Sequence, residues 1–320
     1  MKTKKIITGL ITGVFLLCSC KGNNRETQQE GFISINIRDV QRRVEVPLSS
    51  LVESLEIIHL EDHDDAFIRP GRIYVTENFI GRQTSQDAFK LFDRTGRFIG
   101  NVGAFGQGPG EYSSTIYHAQ ICEIAGRVYL VPWNNITRIL TYDLRGRFIE
   151  DEVIPLAFTA PKVRFFVDNK NKQVVVFTLP FEGMNDYVVW VQDFVGNVIQ
   201  KISSEGFALP PDFSNEVVFA RNTPNFDFSI MRFFQSKQDT LFHYDIENNV
   251  LKPVFTLNAP IRPGEVIYSY LELPRHFLVD IAVIGRGDGG FEGQSDRTIL
   301  VDKETREAKF VQIINDFLGN

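Results

Sequence analysis

One pattern recurs five times along the 320-residue chain: an alternating apolar run, an aspartate, a few polar residues often closed by glycine, then a second apolar run. The copies are FKLFDRTGRFI at 89–99, ILTYDLRGRFI at 139–149, VVWVQDFVGNVI at 188–199, LFHYDIENNVL at 241–251 and, more diverged, ILVDKETREAKF at 299–310. Their aspartates, Asp93, Asp143, Asp193, Asp245 and Asp302, are spaced by 50, 50, 52 and 57 residues. Each copy reads as a β-hairpin. The aspartate side chain bonds backbone N–H groups ahead of it, and Gly96, Gly146 or Gly196 supplies a positive φ. In the fourth copy Asn248-Asn249 takes that place, because Asn tolerates the left-handed region. A period near 50 leaves room for two further strands per copy, such as RVYLVPW at 127–133 and QVVVFT at 173–178. Four strands per repeat make a propeller blade. A β-sandwich gives no reason for five similar hairpins at nearly constant spacing. The 28 phenylalanines suit sheets packed face to face. No long amphipathic helix is evident, SSLVESLEII at 49–58 being the best candidate.

The glycine-rich run GNVGAFGQGPGEY at 100–112 raises the question of a phosphate loop. It fails that test. Glu111 stands where a dinucleotide fingerprint needs its third glycine, and no Gly-Lys-Ser/Thr follows. The residues behind it, rich in β-branched and aromatic side chains, predict a turn and a strand rather than the helix whose N-terminus would face an anion. Gly103, Gly106, Gly108 and Gly110 therefore mark the crossing from the outer strand of one blade to the inner strand of the next.

The first residues carry a different signal. Lys2, Lys4 and Lys5 form a basic region, and Ile6–Leu17 is an apolar core too short to span a bilayer as a helix. Leu17-Cys18-Ser19-Cys20 then resembles a bacterial lipobox, which implies a signal peptide over 1–19 and lipid attachment at Cys20. The hydrophilic run at 20–31 reads as a tether. Residues 32–320 are the propeller domain. Past Cys20 only Cys122 remains, so no disulfide can form within the domain, which must rely on its apolar core. A net charge of −6 and an isoelectric point near 5.5 argue against nucleic acid and anionic membrane surfaces as partners.

A family resemblance rests on particular residues. FKLFDRTGRFIGNVGAFGQGPGEY, followed by GRVYLVPWNNITRILTYDLRGRFI, resembles the NHL-type repeat. In that repeat a strand ending in Phe-Asp leads to glycine, a Gly-rich crossing and then Val-Tyr-Leu/Val. Together with the lipobox and QDTLFHYD at 238–245, the chain is similar to six-bladed β-propeller lipoproteins of Gram-negative gut bacteria, over most of 55–313. The resemblance implies an all-β NHL-like propeller of six-bladed type, with five clear blades and an incomplete closing blade. FISINI (32–37) and LEIIHL (55–60) are expected as outer strands of that closing blade. Their inner partners would come from a C-terminal stretch missing here, so the favoured expectation is a truncated six-bladed ring; the alternative is a ring closed with five blades that places the N-terminal strands elsewhere.

Side chains with chemistry are few and scattered. His59, His63, His118, His243 and His276 show no metal-ligand spacing, and Cys122 has no cysteine partner. No metal and no cofactor is expected. Glu61-Asp62-His63-Asp64-Asp65 lacks the alternation and turn glycine of a calcium loop and reads as a solvated segment. Arg286-Gly287-Asp288 reads as a hairpin tip. Trp133 beside Asn134 and Asn135 is expected in packing rather than on a sugar-binding surface, and no Gly-x-Ser-x-Gly elbow exists. The sequence thus points to an outer-membrane lipoprotein, periplasmic or surface-facing, that binds a peptide, glycan or protein partner without catalysis. The alternative is a metal-dependent hydrolase or lyase, with carboxylates and imidazoles converging in the central channel.

Overall fold

The computed structural model describes residues 31–133, 136–234, 238–287 and 290–318. Cys20 and the segment before it lie outside the described residues. Ile33–Asn320 forms one compact body. It contains five antiparallel four-stranded blades in chain order, a β-propeller arrangement. Blade 1 is Arg72–Val75, Phe79–Gln83, Phe89–Asp93 and Phe98–Val102. Blade 2 is Ile116–Cys122, Arg127–Pro132, Ile136–Asp143 and Ile154–Ala160. Blade 3 is Val163–Asp168, Gln173–Thr178, Tyr187–Asp193 and Val198–Ser203. Blade 4 is Glu216–Ala220, Phe226–Met231, Leu241–Asp245 and Val250–Asn258, and blade 5 is Val266–Glu272, His276–Gly287, Gly290–Asp302 and Ala308–Ile314.

The repeated hairpins join the third and outer strands, as the pattern predicts. Gly96, Gly146 and Gly196 have φ of 91°, 80° and 91°, and Asn249 and Arg306 take the same region at 51° and 60°. The glycine-rich run carries the chain from Val102 at the outer edge of blade 1 to Ile116 at the inner edge of blade 2. Tyr112 anchors it: its hydroxyl donates to the Val102 carbonyl and accepts from Phe89 N–H. Helix is confined, among the described residues, to three short 3-10 turns, one of them Leu48–Ser50, which overlaps the start of the best helical candidate at 49–58.

Blade count and the N-terminal segments differ from expectation. Among the described residues five blades are present rather than six. Ile33–Asn36 adds in parallel to the outer strand of blade 4, and Arg43–Pro47 adds in parallel to the outer strand of blade 5. The physical reason is that an outer strand leaves a row of N–H and C=O groups unpaired, and a parallel strand satisfies them without a new blade. LEIIHL is not a strand. Its alternation serves a different purpose: Ile58 and Leu60 pack with Ala66 and Ile68 onto Ile80, Phe92 and Phe98 of blade 1, while Ile57 is 58% exposed. Glu61 N–H donates to the Gly96 carbonyl, and the Glu61 side chain accepts from Phe98 N–H. This segment covers the face of blade 1 opposite the one that meets blade 2.

Apolar clusters bind neighbours in sequence. One joins blades 1 and 2 through Phe89, Leu91, Ala119 and Leu130. The largest runs through blades 2, 3 and 4 around Phe177 and Trp190. A third joins blades 4 and 5 through Phe255, Phe277 and Val279. Among the described residues no such cluster joins blades 5 and 1.

Candidate functional site

The inner strands place a polar group where blades 2, 3 and 4 converge. Lys162, at the threshold of blade 3, is 1% exposed. Its Nζ donates to the carbonyls of Phe213 and Asn215 and, at 2.5 Å, to Glu216 Oε1. Arg164 is equally buried; its Nε donates to the Val217 carbonyl and Nη1 to the Tyr117 carbonyl, with the guanidinium 4.1 Å from the Tyr117 ring centre. Tyr117 donates its hydroxyl to Glu216 Oε2 at 2.5 Å. Both oxygens of Glu216 are thus engaged, and each buried cation has acceptors, which is what makes their burial tolerable. His118, next along the strand, is also buried. Its Nδ1 accepts from Phe165 N–H at 3.2 Å, and burial, with Arg164 nearby, lowers its pKa well below the usual range. The imidazole is neutral with its proton on Nε2.

Over this group opens a cavity of about 560 Å³, bordered by the inner strands of blades 1 to 4 and lined by Ile73, Val75, Gln120, Phe166, Phe219 and Arg221 among others. Gln120 is spent on the backbone of Val167, donating to its carbonyl and accepting from its N–H. Arg221 differs. Its guanidinium carbon lies 4.3 Å from the Phe166 ring centre and 4.6 Å from that of Phe226, resting against two rings that meet edge-to-face 5.4 Å apart. Among the described residues none accepts a hydrogen bond from it.

A second group lies between blades 4 and 5. Asp227 and His243 are cross-strand neighbours in blade 4, and Glu272 ends the inner strand of blade 5. His243 Nε2 is 2.5 Å from Glu272 Oε2 and 3.5 Å from Asp227 Oδ1. Lys303 donates to Glu272 Oε1 at 2.5 Å. Asp227 is 2% exposed, and burial together with the Glu272 charge pushes its carboxyl up to about 8. Burial also pushes Glu272 up, but its bonds from His243 and Lys303 prevail and hold it down to about 2.

The residues singled out by sequence are mostly structural. Cys122 is half-buried at the end of its strand, with Asn169 Nδ2 3.4 Å from its sulfur. Of the acidic run, Glu61 serves the cover over blade 1, and the Asp65 carbonyl accepts from Lys90. His63 stands 3.7 Å from Glu61 and His276 3.7 Å from Asp302. Trp133 packs on Phe213 with 36% of its surface exposed, whereas Asn134 and Asn135 lie outside the described residues. Arg286 and Gly287 end a strand of blade 5, and Asp288 lies outside the described residues. Of the five histidines, His243 joins the Asp227–Glu272 group and His118 the polar group beneath the cavity. Sequence reading missed Lys162, Arg164, Glu216, Arg221, Asp227 and Glu272. For Asp227 one signal existed, a charge set between two phenylalanines in FDFSI.

Residues 32–319 match the family described as Domain of unknown function (DUF4934). The chain belongs to the DUF4934 family. No curated protein shows significant sequence similarity to it. Among solved structures, this DUF4934 chain is similar to a Bacteroides fragilis protein described as exported. The two are 14% identical with a TM-score of 0.58, over 87% of this chain and 79% of that one. It aligns more loosely with an auxiliary nutrient binding protein of Bacteroides thetaiotaomicron, 10% identical, TM-score 0.42, over 73% of this chain and 65% of that one. At 14% identity the likeness to the exported protein is one of fold.

Proposed function

We propose that the chain is an exported binding propeller, tethered to the outer membrane through Cys20, which holds a peptide, glycan or protein partner over the mouth of its channel. The observation that carries this reading is Arg221. A guanidinium resting on two aromatic rings at the rim of an open cavity, with its N–H groups unclaimed by the described residues, is placed to meet an acceptor from outside. The aromatic walls offer the apolar contact that binding sites combine with a few placed polar groups. A catalytic channel is less well supported, because both oxygens of Glu216 are taken by Tyr117 and Lys162 and the Nδ1 lone pair of His118 by Phe165 N–H.

The tether reading rests on the basic start, the apolar core and the Leu-Cys-Ser-Cys run. Metabolic labelling with a fatty-acid analogue is expected to mark the protein and to lose the signal in Cys20→Ala; label retained in the variant refutes the anchor. For the binding face, glycan and peptide arrays should be probed with the wild-type chain and with Arg221→Ala. Hits concentrated on carboxylate-bearing members and lost in the variant support the reading. Hits indifferent to the substitution, or none on either array, sink it.

A further inference from the structure

We infer that Asp227, His243 and Glu272 form a divalent-cation site that ties blade 4 to blade 5. The imidazole nitrogen and one oxygen from each carboxylate lie within 4.8 Å of one another. Proximity alone would not suffice. The independent observation is that Asp227 is 98% shielded from solvent, yet neither of its oxygens accepts a hydrogen bond, and its close polar neighbour, the Glu272 carboxylate, is itself an acceptor. A buried carboxylate with no donor is costly, and a second carboxylate facing it makes the arrangement worse. A dication between them answers both charges at once and takes the His243 lone pair as its third ligand.

The donor set indicates the kind of ion. One imidazole nitrogen with two carboxylate oxygens suits zinc, whereas calcium asks for six to eight oxygens and magnesium keeps most of its water. Zinc bonds of about 2.0–2.2 Å set tetrahedral ligand atoms roughly 3.3 Å apart. His243 and Asp227, at 3.5 Å, already stand near that separation; His243 and Glu272, at 2.5 Å, need only part. Lys303 on the other oxygen of Glu272 fixes that carboxylate from behind, as outer partners of metal ligands do. Three protein ligands leave a position for water, and the partly exposed edge of His243 provides a way in. The set escaped the spacing argument because its members come from three strands of two blades.

The test uses the purified chain, stripped with a chelator, dialysed against zinc chloride and assayed by elemental analysis and thermal melting. Wild type is expected to retain near-stoichiometric zinc and to melt at a higher temperature with it than without. Asp227→Asn keeps the shape and removes the charge that calls for the cation. It should fold at least as stably as the stripped wild type while losing both zinc and the zinc-dependent shift. His243→Gln should lose both as well, which keeps the test open should the first variant fail to fold. Wild type that neither retains zinc nor shifts overturns the site in favour of a proton shared by Asp227 and Glu272. Equal retention by both variants overturns it in favour of zinc held loosely by surface histidines.

Discussion

Asp93 accepts from the backbone N–H groups of Thr95 and Arg97, Asp143 from those of Arg145 and Arg147, and Asp193 from those of Val195 and Asn197. Asp302 accepts from Glu304 and Thr305, so its second donor stands one residue nearer along the chain than in the other three turns. In Asp93 the Thr95 hydroxyl and then Arg97 hold the carboxyl down to about 2. Its contribution to stability is therefore present above the unfolded value near 4 and disappears as pH falls toward 2. Asp93→Asn is expected to melt below wild type at pH 7, with the gap closing over that acid range; a gap that persists at pH 2 contradicts the argument. The turn glycines split by surroundings. A Cβ on Gly96 would fall 1.9 Å from the His59 carbonyl oxygen, and one on Gly146 2.0 Å from that of Asn101, while Gly196 has nothing nearer than 3.6 Å. Alanine at the first two should cost more than about 1 kcal/mol, and at Gly196 only the strain of positive φ. Denaturant unfolding of the three variants gives the ranking.

At the scale of elements, the N-terminal strands are held almost wholly by what they reach. Ile33 is 6% exposed and packs into the cluster of Phe255, Phe277 and Val279 between blades 4 and 5. Ile33→Ala is expected to cost about 2–4 kcal/mol, within the usual range for an aliphatic truncation in a core; a loss below about 0.5 kcal/mol would mean that the strand merely rests on the edge. The repeats were legible because each hairpin carries its own turn chemistry and alternation within a dozen residues. FISINI could be recognised as a strand for the same reason. Its partner could not, since nothing local names the strand at 250–258 as the one it joins. LEIIHL shows the limit of alternation: period-two burial also describes an extended segment laid on a neighbour's face without ladder bonds. The Asp227 group is hidden for a related reason, since its ligands meet only after two blades have packed.

For the whole molecule, the arrangement is nearly one-dimensional: each blade buries its faces against the next, and the clusters follow that order. The N-terminal segment breaks the rule. It runs along the outer edges of blades 4 and 5 and then lies across blade 1, with Arg42 paired to Glu307 at 2.9 Å and Ser49 N–H bonded to Asp316 at 3.0 Å. Those partners are 265 and 267 residues apart along the chain. The consequence is temporal. Adjacent blades can assemble through short loop closures, but residues 33–47 have no docking site until the last two blades exist, and closing so long a loop is entropically slow. In pulsed hydrogen exchange during refolding, amides of Ile33–Asn36 and Arg43–Pro47 are expected to gain protection after those of blades 2 and 3; simultaneous or earlier protection would contradict this order. Residues 33–47 would then settle after the blades that follow them, and the outer edges of blades 4 and 5 would stand unpaired until they dock.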